Sequence, residues 1–332
     1  MKRSSLVQLC AGVAIAAAGI WIFFRQVNAT GMLLGVRATP LWKIALVVLL
    51  NPATLAFRAW RWSVLLPDRR GVDKTCFFPI VVTGFMVNNI LPARIGEAVR
   101  AALLWKRNRF SIVESVGSIL VERFLDIIVF TFFLFIPIVF NPELSTLRFY
   151  GWLTGGGLSV VILSLLAYSK WPQMAKSTAG KIVRLLPLRV KKIVAPAAKE
   201  LVSNLDWLFS IKRVVAIIVL SLLTILCQVA MLLVLGYGIA GFGFLDGMFG
   251  IACAALGAAI PLAPGYVGTL HAMMVSGLSA AGIPSDNAGA IAVLYHGIGY
   301  VTVLTMGTYY FFRMKISFSD IRDSVNKKTA DL

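Results

Sequence analysis

Glu122, Arg123 and Asp126 lie inside an otherwise apolar run, Ile112–Phe140. They stand 10 to 14 residues from its start, which at about 1.5 Å per helical residue is roughly 15–20 Å deep, near the centre of a bilayer. An ionised side chain at that depth costs at least ~2.5 kcal/mol, so each must face protein or water. Glu122 and Asp126 share a helix face at i, i+4, and Arg123 meets Asp126 at i, i+3. Two acids and one base leave a negative charge to be balanced, by Arg94, by Arg100, or by a proton retained on one acid. Such a set suits substrate or proton handling. The alternative is a buried ionic network that pins one helix to another.

A second set is Asn88, Asn89, Pro92, Arg94, Gly96, Glu97 and Arg100. Pro and Gly break a helical ladder and free backbone N–H groups, tolerated in a membrane only where protein or water satisfies them. An arginine beside such a break presents a fork of donors together with oriented amides, which suits a phosphate oxygen. Arg94, next to the break, is the better candidate. Arg100 reads equally well as snorkelling to the interface. The third set contains the two histidines of the chain, His271 and His296. His296, after Tyr295, falls near mid-depth of the last apolar run, where an imidazole titrates near neutral pH or bridges polar groups while uncharged. Asp246 reads as a helix cap.

The elements that must hold these residues are membrane spans. The chain has 332 residues, 59% apolar and 14% charged, against about 25% charged in a soluble domain, and its mean hydropathy is +0.85. No interval is long and polar enough for a separate soluble catalytic domain. Leu6–Phe24 reads as a retained first helix rather than a cleaved signal, because bulky Trp21, Phe23 and Phe24 occupy its end. Leu41–Phe57, Ile112–Phe140, Tyr150–Tyr168, Val214–Ile239 and Asn287–Phe312 are further full-length spans. Two apolar stretches are interrupted: 76–105, by Pro92 and Gly96, and 244–282, by Pro261, Pro264, Gly265 and Gly268. Cys10, Cys76, Cys227 and Cys253 are scattered, without a CxxC pair, so neither a metal centre nor a disulfide framework is expected, and no cofactor.

The formal charge of +18 would suggest nucleic acid in a soluble protein; here it reads as a basic cytoplasmic face against anionic lipid. Of 32 Lys and Arg, 25 fall at the N-terminus, in 58–74, in 106–109, in 170–213 and after Phe312. The positive-inside rule places those segments, and both termini, in the cytoplasm. The stretch 76–105 must then enter and leave on the inner side, and 244–282 on the outer side. The expected fold is an all-α polytopic membrane protein with about six full spans and two oppositely oriented re-entrant hairpins. The chain divides into a first helix and loop (1–40), repeat A (41–140), a connecting span (150–169), an amphipathic cytoplasmic segment (170–213), repeat B (214–312) and a cytoplasmic tail (313–332). Ile90-Leu91-Pro92-Ala93-Arg94-Ile95-Gly96 aligns with Leu262-Ala263-Pro264-Gly265-Tyr266-Val267-Gly268 at an offset of 172. Inverted repeats with broken helices at the midplane are a transporter architecture.

The run Asn88-Asn89-x-x-Pro92-x-Arg94-x-Gly96-Glu97-x-x-Arg100, then Glu122-Arg123-x-x-Asp126, then Pro264-Gly265-x-x-Gly268, resembles the lysylphosphatidylglycerol synthase transmembrane family over nearly the whole chain. The resemblance implies lipid translocation between leaflets, with aminoacylated phosphatidylglycerol or polyprenyl-phosphate-linked sugars as cargo. The aminoacyltransferase domain of the full synthase has no counterpart here, so synthase activity does not transfer. Two positions depart from the pattern: His271 stands where the family often has Glu, and His296, after Tyr295, where it often has Arg.

These observations lead to an expected inner-membrane flippase for a phosphate-bearing lipid. Arg94, Arg100 and Arg123 would hold the phosphate, Glu97, Glu122 and Asp126 would balance charge, and Asn88 and Asn89 would add uncharged hydrogen bonds. Pro264, Gly265, Gly268, His271, Tyr295 and His296 would form an outward gate, with the two histidines approaching each other and making outward release sensitive to pH. Partners would be the lipid itself, anionic inner-leaflet lipids through 170–213, and a lipid-modifying glycosyltransferase or other transferase. Two other classes compete: an intramembrane lipid-modifying enzyme using Glu122, Asp126 and His296 as acid and base, and a membrane scaffold for a glycosyltransferase.

Overall fold

Long apolar runs leave a chain in lipid no backbone option but the helix or the closed barrel, since every N–H and C=O must find a partner within the protein. All the regular elements of the computed structural model are helical. It describes residues 3–66, 72–91, 94–108, 110–174, 177, 205–260 and 263–315. Pro92 and Pro261, most of the amphipathic segment 170–213 and the tail beyond Lys315 lie outside the described residues.

Among the described residues, five helices are long and apolar enough to cross a membrane: α3 (Leu41–Leu65), α6 (Ile112–Phe140), α7 (Arg148–Lys170), α8 (Ile211–Gly236) and α11 (Ser285–Arg313). A sixth span forms if α1 (Arg3–Gln26) and α2 (Ala29–Arg37), bent by 87° at their junction, count as one. The chain is an all-helical, multi-pass membrane protein. Its spans fall where apolar runs exceed the length of the hydrocarbon core, but two boundaries differ from the expected ones. The loop expected after the first helix contains α2, which starts because the Asn28 side chain accepts hydrogen bonds from the amides of Thr30 and Gly31. Helix α3 runs eight residues past Phe57 to Leu65, so Arg58 and Arg61 belong to a span and not to the loop 58–74.

The two interrupted stretches each fold as a pair of short helices. The first pair is α4 (Phe77–Ile90) with α5 (Ile95–Asn108), and the second is α9 (Phe244–Ala259) with α10 (Thr269–Ala280). At 12 to 16 residues each, none reaches the roughly 20 residues that a crossing requires. The breaks share an unusual backbone. Arg94 has φ +52° and Tyr266 φ +60°, and Lys315 is the one other non-glycine residue at positive φ among the described residues. Arg94 and Tyr266 are 172 positions apart, the offset at which the two motifs align. Asp246 caps α9 as expected, accepting from the Gly243 amide at 2.8 Å and from Asn141 Nδ2 at 3.0 Å.

Each pair has its own buried core. One core gathers Val81, Val87, Val99 and Leu104 of α4 and α5 with Leu55 and Trp62 of α3, Ile119 of α6 and Val303 and Phe311 of α11. The other gathers Met248, Ile251, Leu270 and Met274 of α9 and α10 with Val47 of α3, Phe133 of α6, Leu232 of α8 and Ile291 of α11. Helices α3, α6 and α11 therefore run through both, contributing opposite halves to each. Helix α1 closes the second pair from the side. A Cβ on Gly19 would sit 2.6 Å from the Gly268 carbonyl carbon and the Thr269 nitrogen, so that crossing requires glycine on both sides.

Candidate functional site

Where the two cores meet, α3, α5 and α6 bring ionised side chains together. Helical spacing places Arg58, Arg61 and Trp62 on one face of α3, turned towards α6. Asp126 receives Arg61 Nη2 at 2.6 Å, Arg58 Nη1 at 3.0 Å and Arg123 Nη1 at 3.2 Å. Glu122 receives Arg100 Nη2 at 2.5 Å and Arg123 Nη2 at 2.7 Å, with Arg61 and Arg58 at 3.7 and 3.8 Å. Glu97 of α5 stands 3.8 Å from Arg123 Nε. Arg61 also donates to Ser221 Oγ of α8 at 3.1 Å. Arg100 stacks its guanidinium 4.2 Å over the Trp62 ring, whose indole nitrogen donates to Ser118.

The charge balance goes beyond the one expected. Two acids and one arginine called for an additional cation, which Arg100 supplies; with Arg58 and Arg61 the cluster has four arginines against Glu97, Glu122 and Asp126, a surplus of one positive charge. Burial is uneven. Glu122 is fully enclosed and Arg61 nearly so, whereas the side chains of Arg123 and Glu97 are each 25% exposed. The Nε atoms of Arg61, Arg94, Arg100 and Arg123 are buried and make no hydrogen bond. Burying ions is costly unless partners satisfy them, so a cluster with a surplus cation and a partly exposed edge at Arg123 is chemically suited to an anion.

The breaks touch each other beside this cluster. Arg94 Nη2 reaches across to the Ala258 carbonyl at 2.9 Å, and Tyr300 Oη of α11 donates to the Asn89 carbonyl at 3.2 Å. Tyr266 lies within electrostatic reach of Arg94, Arg123, Glu97 and Arg58, and Tyr295 within reach of Arg58. Asn88 Oδ1 accepts the Gly96 amide at 2.7 Å and so holds α4 to α5.

The histidines do meet, with His271 Nε2 lying 3.2 Å from His296 Nδ1. The Gly268 amide donates to His271 Nδ1 at 3.3 Å, so the proton of that ring is on Nε2 and points at His296 Nδ1. The chain Gly268–His271–His296 holds only while both imidazoles are neutral, because a protonated ring has no acceptor. It ties the end of the second break to α11.

Of the residues singled out from sequence, the structure brings Glu97, Arg100, Glu122, Arg123 and Asp126 into one cluster, with Arg94 at its rim. Asn88 is committed to holding its own helix pair. Asn89 contributes its backbone carbonyl. Arg100 is buried and ion-paired, which removes the snorkelling reading. Arg58 and Arg61 are the members that sequence reasoning missed. The recurrence of Arg58, Arg61, Trp62 and Leu65 at helical spacing was the signal, masked by Arg69 and Arg70 nearby, which made the whole segment look like a basic loop.

A profile of the lysylphosphatidylglycerol synthase TM region matches residues 9–307. The chain belongs to this family. Its curated relatives include a "UPF0104 membrane protein" of Methanothermobacter thermautotrophicus, 25% identical over 295 residues and covering 82% of this chain and 85% of that one. A second protein of the same name and organism is 24% identical, covering 80% and 82%. A third, from Methanocaldococcus jannaschii, is 24% identical over 241 residues, covering 68% and 93%. The family thus accounts for nearly the whole chain, and the arginine cluster and both breaks lie inside the matched region.

Proposed function

We propose that this family member is a flippase for a phosphate-bearing lipid, a polyprenyl phosphate or its sugar conjugate, or a modified phospholipid. The observation that carries the reading is the cationic surplus of the cluster, four arginines against three acids between two membrane-length helices and the short helix α5, with Arg123 at its open edge. A lone positive charge at that depth is expensive, and a phosphate that shares the site removes the cost. The tail stays in lipid while the headgroup enters between the two helix pairs. The paired left-handed breaks at Arg94 and Tyr266 support an inverted repeat, and rocking of one half against the other then alternates access. Positive-inside counting orients the first pair towards the cytoplasm and the second away from it, with both termini inside.

The test is translocation in proteoliposomes that contain a polyprenyl phosphate and an added membrane-impermeant phosphatase. Wild type is expected to expose nearly all of the lipid, and Arg123→Gln only the outer-leaflet share that empty liposomes show. In a parallel sample without phosphatase the lipid mass stays unchanged. A changed mass there would make the protein an enzyme. Transport of the same extent in wild type, Arg123→Gln and empty liposomes would leave the scaffold reading.

A further inference from the structure

A cleft of about 440 Å³ opens between α3, α4 and the start of α8, on the side of α3 away from the arginine cluster. That volume lies within the range of small-molecule sites, about 300–1,000 Å³. Its lining combines two chemistries. Trp60, Phe77 and Phe78 supply aromatic walls, and Lys74, Lys212 and Arg213 supply three cations. Trp60 is 62% exposed on the outer face of a helix long and apolar enough to cross a membrane. The N-terminus of α8, which Ser210 does not cap with its side chain, adds oriented amides beside Lys212 and Arg213. Aromatic walls beside three cations fit a molecule with an anionic head and an apolar tail.

We propose that this cleft docks the phosphate headgroup of an anionic membrane lipid from the cytoplasmic leaflet, its acyl chains lying along Trp60 and Phe78. Further along α8, Ser221, Thr224 and Gln228 face Arg58, Arg61 and Asp126, and Ser221 Oγ accepts directly from Arg61. Buried Ile217 and Leu220 separate them from the cleft, so docking of the lipid does not rest on the flippase reading.

Quenching of Trp60 tests it. The full chain is placed in phosphatidylcholine nanodiscs containing increasing fractions of either phosphatidic acid or phosphatidylcholine with brominated chains. The Trp60 signal is the difference between wild type and Trp60→Phe. Half-maximal quenching is expected at a severalfold lower fraction of the brominated phosphatidic acid, a preference that salt weakens and that Lys74→Gln/Lys212→Gln/Arg213→Gln abolishes. Equal quenching by the two lipids in wild type overturns the proposal, and so does a preference that survives in the folded triple variant. Arg123→Gln should keep the preference. A protein that shows the preference but moves no lipid would refute the flippase reading and leave the docking site standing.

Discussion

The two helix pairs of this protein break in the same way and are secured by opposite chemistry. Around the first break, four guanidinium groups and three carboxylates form a network that crosses three helices. Around the second, two imidazoles and the Gly268 amide form a chain of hydrogen bonds. The left-handed residues Arg94 and Tyr266 occupy corresponding places in both. The difference teaches that the backbone geometry of a break and the charge stationed next to it are separable. One half is held by buried ions, and the other by hydrogen bonds between uncharged rings and backbone.

The largest effect is expected from breaking the charged half. Asp126→Ala removes the partner shared by Arg58, Arg61 and Arg123 and leaves buried cations uncompensated, a loss of about 3–5 kcal/mol. Thermal unfolding in detergent should show it plainly, while His271→Gln should cost far less in the same assay. Equal losses would mean that the network is not what separates the halves.

A smaller loss is expected at the glycines that the two breaks share. Gly268 has φ +86° and would direct a Cβ at the Ala16 carbonyl, and a Cβ on Gly96 would meet the Gly84 carbonyl. Gly268→Ala and Gly96→Ala should each destabilise by about 1–3 kcal/mol. If only one of them does, the breaks are not equivalent in packing.

The smallest effect concerns pH, where the halves should diverge in kind. The bond between the histidines exists while both rings are neutral, so it is present at high pH and lost as pH falls through their titration. Its net worth is about 0.5–1.5 kcal/mol. Hydrogen exchange at the Gly268 amide, corrected for intrinsic rate, should lose protection as the pH is lowered through the imidazole titration. In His271→Gln the profile should be flat, and amides of α5 should show no such transition in either protein. A flat profile in wild type would sink the idea.

Much of this was readable from residues alone. The spans follow from apolar runs that no soluble core requires, and the breaks from Pro and Gly within runs too short to cross twice. Glu122, Arg123 and Asp126 announced themselves because lipid makes charge expensive. Arg58 and Arg61 did not, since an arginine at the end of an apolar run is indistinguishable from an interfacial one until its helix is known to continue. Helix α2 is nine residues long, below the length at which periodicity is informative, and only the cap at Asn28 marks its start. The meeting of His271 with His296 depends on how α10 packs against α11, which spacing along the chain does not encode.

His296 and Tyr300 stand one turn apart on α11, the first bonded to His271 just past the second break and the second to Asn89 just before the first. A helix is stiff along its axis, so these two contacts behave as teeth on a single rack. A slide of α11 by a turn, about 5.4 Å, disengages both at once, and a slide that keeps one keeps the other. The two breaks are thereby held in phase by one rod, and neither can be released through α11 without the other registering it.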